Sequence, residues 1–265
     1  MKVITPDTAR ELRALLDRHS RSEKHIGYHI LPERLNALVG GTELANRYTF
    51  WERERWAYFR EQVDFRGKSV LDIGCNIGYF LMSALDAGAV RVTGYEGKAS
   101  CGEFLSRAIG ELGEEDRFTF HGRYHQFGSE GEGGHHDVGL LLNVLHHLGH
   151  DYGDGHIAKE SAKAGMLEQL NGLSRRVDTL IFQLGFNWKG DRHSCLFEHG
   201  TKAEMIDFVT RGIEGHWTVQ AIGVPEKSGG GLSYVELSAA NIGRVDALGE
   251  FLNRPIFVLR SVHAC

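Results

Sequence analysis

Two acidic residues stand around a glycine turn in this chain, at a spacing that suits a nucleoside-containing ligand. Asp72 precedes Gly74 and Gly78 in the run VLDIGCNIGYF, Val70 to Phe80. Glu96 lies in the run VTGYEG, about 20 residues further on. A glycine turn lets a ligand approach the backbone, and an acid after the next strand can hold ribose hydroxyls. A second chemistry is offered by His146 and His147 in HDVGLLLNVLHHL. A positioned histidine can take a proton from a nucleophile near neutral pH.

These residues need elements to hold them. From Lys68 onward the pattern alternates strand and helix. Strands are expected over 69–73, 91–96, 117–121, 137–142, 178–184, 217–223 and 255–261. Helices are expected over 78–87, 99–113, 159–174 and 201–211. Residues 225–254 read as an insertion between the last two strands. The expectation is a Rossmann-like α/β fold, with a seven-stranded, mostly parallel sheet and helices on both faces. Crossovers in such a sheet are right-handed, and ligands bind beyond the strand C-termini. That rule gathers the segments after Ile73, Tyr95, Phe120, Leu142 and Leu184 around one cleft.

Residues 1–65 lack strand signals and read as an N-terminal helical cap before a domain at 66–265. Leu12, Leu15 and Leu16 have helical spacing within 7–19. Residues 42–63 read as a helix dense in charge and aromatics, among them Tyr48, Phe50, Trp51, Trp56 and Phe59.

Composition narrows the class. The chain has 265 residues, 42% of them hydrophobic, which suffices for a real core. Its formal net charge of −5 argues against a broad nucleic-acid footprint. Cys75, Cys101, Cys195 and Cys265 have no CxxC spacing, so a reduced, cytoplasmic protein is expected. The first residues are charged rather than a signal sequence, and no apolar run approaches the roughly 20 residues that span a bilayer. No membrane partner is expected.

With these residues in place, the chain resembles a class I S-adenosylmethionine-dependent methyltransferase over about residues 66–223, with the last strand also fitting. VLDIGCNIGYF resembles the first motif of that family, VTGYEG the second and HDVGLLLNVLHHL the fourth. The rival dinucleotide fingerprint, GxGxxG, is absent, because the turn reads Gly74-Cys75-Asn76-Ile77-Gly78. The resemblance implies S-adenosylmethionine as cofactor and assigns Asp72, Gly74, Cys75, Asn76, Gly78, Glu96 and Asn143 to its binding. One position departs from the family pattern. Arg123 stands near the place where many relatives carry an adenine-reading Asp, and arginine cannot accept a hydrogen bond. Backbone, His125 or Gln126 is expected to read the adenine instead.

NVLHHL resembles sugar O-methyltransferases of the family, which implies His146 or His147 as the base. Gln183 stands where some of those enzymes carry a supporting Asp. The 15 histidines include the i, i+4 pairs His121/His125 and His146/His150, yet neither pair lies on an evident long helix with a carboxylate ligand beside it, and no metal is expected. The acceptor pocket is expected from Trp188, Lys189, Asp191, Arg192 and His193 of one loop, and from Arg21, Lys24, His25, Tyr28, His29 and Arg34 of the cap. Trp51, Trp56 and Phe59 are expected to pack rather than to carry substrate.

The implied function is O-methylation of a small-molecule acceptor such as a sugar, a surface-polysaccharide precursor or a natural product. No nucleic-acid partner is expected, and a homodimer through the cap is possible in principle. The alternative is a tRNA wobble-uridine-type enzyme, which the run WERERWAYF ahead of the first motif resembles. A third reading is a cofactor-binding protein that uses the sulfonium for another reaction.

Overall fold

The structure is a computed structural model that describes residues 5–21, 30–40, 51–128 and 134–264, with only the backbone of 17–21. Lys24, His25, Tyr28, His29, Tyr48, Phe50 and Cys265 lie outside the described residues, as does the side chain of Arg21.

The element order is α1 (Pro6–Arg21), α2 (Glu33–Val39), α3 (Glu52–Gln62), β1 (Ser69–Ile73), α4 (Tyr79–Asp86), β2 (Arg91–Tyr95), α5 (Ala99–Leu112), β3 (Phe118–His121), β4 (His136–Leu142), α6 (Lys159–Gly172), β5 (Val177–Gln183), α7 (Lys202–Gly212), β6 (Trp217–Ser228), β7 (Gly231–Glu236) and β8 (Ile256–Ser261). The strand order is β3-β2-β1-β4-β5-β8-β6-β7. The sheet therefore has eight strands where seven are expected. It is mixed, because β8 runs antiparallel to both β5 and β6.

The additional strand comes from the presumed insertion. β6 continues to Ser228, turns through Gly229 and Gly230 and returns as β7. Both glycines have positive φ, 57° and 87°, as a two-residue hairpin turn of the primed type requires. Short apolar content in Gly231–Glu236 hides the strand from a hydrophobic pattern, whereas the Gly-Gly pair announces the turn.

By internal contacts the chain divides into two compact units. The first comprises 1–56 and 64–125, the second 57–63 and 126–265. This spatial division differs from a boundary at residue 65, which follows sequence character alone.

In the first unit β1 is buried along its whole length, and β2 pairs in parallel with β1 and β3. A strand covered on both faces reads as a continuous apolar run, which is why VLDI is so legible. The N-terminal helices belong to this core: α1 packs on α5 and α2. Arg13 donates from Nε to the carbonyl of Val39 and from Nη2 to that of Gly40, at 2.8 Å for the latter, so it caps the C-terminus of α2. Trp56 packs against Phe65 with the rings tilted at 42° and their centroids 4.7 Å apart.

In the second unit β4 and β5 pair in parallel, and Leu180 faces Leu259 across the antiparallel β5–β8 ladder. A capping box starts α7. The Thr201 hydroxyl accepts from the Glu204 amide, and the Glu204 carboxylate accepts from the Thr201 amide. Tyr58 lies across Gly223, where a Cβ would stand 2.5 Å from its ring, and its ring centroid is 5.9 Å from that of Tyr234. Phe59 is fully buried.

Candidate functional site

In the first unit, the glycine turn and the end of β2 are tied together by one carboxylate. Glu96 Oε2 accepts from the Asn76 amide at 3.0 Å, and Oε1 accepts from the Lys98 amide at 2.8 Å. The turn is further held by Gly74 and Cys75, whose amides donate to the Tyr95 carbonyl at 2.8 and 3.0 Å. Gly74 and Gly78 have φ of 81° and 80°, and a Cβ on Gly78 would strike Leu105 at 2.9 Å. Asn76, at φ 51°, steadies its own left-handed conformation by accepting the Ile77 amide on Oδ1.

Asp72 is buried at the end of β1. Burial, reinforced by the negative Glu96 and partly opposed by the Arg55 guanidinium, pushes its carboxyl up to about 8. Arg55 is a residue that the sequence reading missed. It is buried, with its guanidinium carbon 5.0 Å from the centre of the Phe80 ring. No spacing rule connects α3 to the motif, so only the fold reveals it. Cys75 is buried, and desolvation holds its thiol well above the usual range. Its sulfur would meet a Cβ on Gly94 at 2.8 Å, so the thiol packs rather than reacts.

Around Tyr95 the rings form a cluster. His121 stacks on it at 4.4 Å, His125 meets it edge-on at 4.8 Å, and the Arg123 guanidinium lies 5.4 Å above it. The i, i+4 pair His121/His125 thus flanks one aromatic ring. Gln126 is exposed.

In the second unit, β4 ends at Leu142 and is followed by Asn143 at φ 60°. The Asn143 side chain is engaged on both ends. Nδ2 donates to Gln183 Oε1 at 2.9 Å, and Oδ1 accepts from Arg254 Nη1 at 2.7 Å. Arg254 is in turn gripped by Glu250, whose Oε1 also accepts the Phe186 amide. Gln183 therefore belongs to this network and does not orient a histidine.

A 3₁₀ turn, Leu145–His147, carries the histidine pair. The two rings are 4.3 Å apart but differ in surroundings. His146 is buried, and its Nδ1 accepts the Gly185 amide at 3.3 Å. A Cβ on Gly185 would lie 2.7 Å from this ring. With Nδ1 accepting, the neutral ring carries its proton on Nε2. His147 instead places Nδ1 3.3 Å from Asp151 Oδ2. A carboxylate at that distance favours the protonated, cationic form of the ring. Asp151 supplies the support that Gln183 does not, and an i, i+4 His–Asp spacing was its sequence signal. Among the described residues, His147, His150 and Asp151 also form the one group of three metal-ligating side chains brought together.

The loop after β5 divides. Trp188 Nε1 donates to the Leu148 carbonyl at 2.8 Å, and Lys189 Nζ donates to the Gly155 carbonyl at 3.1 Å, so both brace the histidine turn. Asp191, Arg192 and His193 form its exposed tip. Arg34 is spent on ion pairs with Glu114 and Asp86, the latter at 3.4 Å, and not on a pocket.

No protein-family model matches the sequence, and no curated protein does. Solved structures do. The chain is similar to the 16S rRNA methyltransferase RmtF, solved in complex with S-adenosyl-L-homocysteine, with a TM-score of 0.51, 14% identity, and coverage of 98% of this chain and 77% of that one. It is similar to WbdD with a TM-score of 0.55 and 17% identity, over 94% of this chain and 46% of that one. At these identities the likeness shows a shared fold.

One expectation is corrected here. The exclusion of nucleic-acid partners in favour of a small-molecule acceptor does not stand, because the fold is shared with an rRNA methyltransferase over nearly the whole chain. A net charge of −5 is a sum over all residues, and it does not report the local field at a binding surface. Among the described residues, no helix is long and apolar enough to cross a membrane.

Proposed function

We propose that this protein binds S-adenosylmethionine through the glycine turn after β1 and transfers its methyl group to an acceptor. The observation that carries the reading is Glu96, whose two oxygens hold the turn at Asn76 and the start of the next segment at Lys98. Bound there, the cofactor would supply an electrophilic methyl group on a sulfonium.

The residues fit such a ligand. Glu96 would hold the ribose hydroxyls, with the bare backbone of Gly74 leaving room beside Asn76. Asp72 would stand near the cationic end and, once ionised, balance its charge. Cys75 contributes backbone only. For Asn143 we propose a backbone role, since its side-chain amide is bonded to Gln183 and Arg254. A protein that binds the cofactor without transferring the methyl group would share all of this.

His147 is the base we assign. Its Nδ1 lies 3.3 Å from Asp151 Oδ2, close enough for the carboxylate to stabilise the ring once it has taken the proton that an oxygen nucleophile sheds. His146 is assigned to positioning, through Gly185. For the acceptor, RNA is the class to test first, on the strength of the fold shared with an rRNA methyltransferase. A ribose hydroxyl is a nucleophile that needs such a base. The buried Cys75 and Cys101 thiols are compatible with a reducing, cytoplasmic setting.

The test has two readouts. Calorimetry is expected to give stoichiometric binding of S-adenosylmethionine to the wild type and none to Gly74→Arg. S-adenosylhomocysteine release is then measured with purified RNA and with a nucleic-acid-free metabolite extract. Turnover on RNA that weakens steeply with salt supports the reading. Turnover on the extract alone removes RNA, and absence of cofactor binding removes the whole proposal.

A further inference from the structure

We infer that the turn from His147 to Asp151 is a binding site for a divalent transition-metal cation of the zinc class. Its ligands are the imidazole nitrogens of His147 and His150 and the carboxylate of Asp151. All three ligand atoms lie within 4.8 Å of one another. His147 Nδ1 is 3.3 Å from Asp151 Oδ2, and His150 Nδ1 is 2.8 Å from Oδ1. Tetrahedral zinc with bonds of about 2.0–2.1 Å holds its ligand atoms roughly 3.3–3.5 Å apart. The two short contacts use different oxygens of Asp151, and the ligand atoms lie within 4.8 Å of one another, so a bound ion draws the two rings in by about an ångström.

The backbone holds this arrangement. The His150 and Asp151 amides both donate to the His147 carbonyl, at 2.9 and 3.2 Å, and the Gly149 amide donates to the Tyr152 carbonyl at 2.8 Å. Gly149 has φ 85°, and a Cβ there would strike Ile157 at 2.7 Å, so the turn depends on glycine. Trp188 pins Leu148 from the neighbouring loop.

The donor set selects the metal. Two imidazoles and one carboxylate favour zinc, cobalt or nickel over magnesium and calcium, which take oxygen ligands. The ligands carry one negative charge in total when both rings are neutral. The His150 side chain is 60% exposed, so water can take a fourth position.

One consequence rests on the assignment of His147 as base. A cation on Nδ1 moves the ring proton to Nε2 and removes the lone pair that would accept the acceptor's proton. Loading the site then switches methyl transfer off.

The test is equilibrium dialysis of metal-stripped protein against zinc, repeated with cobalt to read its absorption bands. Wild type is expected to hold one ion per chain. His150→Ala and Asp151→Asn are expected to bind at least ~10-fold more weakly, with circular dichroism checking that each is folded. His135→Ala, which lies elsewhere on the chain, is expected to bind like wild type. No stoichiometric ion in the wild type, or unchanged binding in both variants, overturns the site. This readout needs no turnover, so it fails or succeeds independently of the proposed methyl transfer. Full turnover with the ion bound overturns the coupling to His147.

Discussion

The carboxylate of Glu96 accepts the amide of Asn76 at 3.0 Å, across the gap between the end of β2 and the turn after β1. One side chain therefore ties the turn after β1 to the segment after β2. Glu96→Gln puts an NH₂ group where an acceptor is needed. It is expected to weaken S-adenosylmethionine binding about 10- to 100-fold, as for loss of a hydrogen bond to a charged group. Calorimetry on both proteins checks this, and equal affinities would remove Glu96 from the site.

If Asp72 lines the proposed cofactor site, ligand binding there is proton-linked. Burial raises its carboxyl from 3.8 to about 8, so without a ligand it is largely protonated at pH 7. A cationic ligand favours the ionised form. Binding at pH 7 is expected to release a fraction of a proton approaching one. Calorimetric enthalpies measured in buffers of different ionisation heat read that proton, and Asp72→Asn is expected to abolish it.

The same group governs stability without ligand. The unfolded chain loses this proton near pH 4 and the folded chain near pH 8. Between them the folded state binds more protons, so the contribution is fully present below about pH 4 and is lost by about pH 8. Its slope approaches about 1.4 kcal/mol per pH unit within that window. Urea unfolding from pH 5 to pH 8 is expected to show stability falling more steeply in the wild type than in Asp72→Asn.

The two histidines are expected to separate. His147→Ala should lower turnover about 10²- to 10⁴-fold with cofactor affinity unchanged. Asp151→Asn should fall between it and the wild type. His146→Ala should chiefly cost stability. A larger turnover loss in His146→Ala than in His147→Ala would reverse the assignment.

Gly185 offers a purely steric check on that assignment. Its missing side chain makes room for the His146 ring, at 2.7 Å from where a Cβ would stand. Gly185→Ala is expected to destabilise the fold by about 1–3 kcal/mol through overpacking, measured by urea denaturation.

Much of the frame was legible before any coordinates. β1 was readable because a strand buried on both faces is apolar throughout, and the expected and observed limits of β1 are both 69–73. The eighth strand was not, because Gly231–Glu236 is half exposed and carries little apolar signal. Its Gly229-Gly230 turn was a readable cue of a different kind. The helix expected from residue 42 is seen over Glu52–Gln62 among the described residues.

The site divides along the same line. Local chemistry marked Asp72, the glycine turn, Glu96 and the histidine pair, because each lies in a short run with its own spacing. By itself the sequence determined the kind of cofactor turn and the order of the elements that carry it. Only the tertiary structure decided which partners these residues have. It set Arg55 near Asp72 and turned Asn143 and Gln183 towards Arg254. The physical reason is range. A turn is dictated by neighbours a few residues apart, whereas Arg254 and Asn143 stand 111 residues apart, and only chain packing brings such groups within a hydrogen bond.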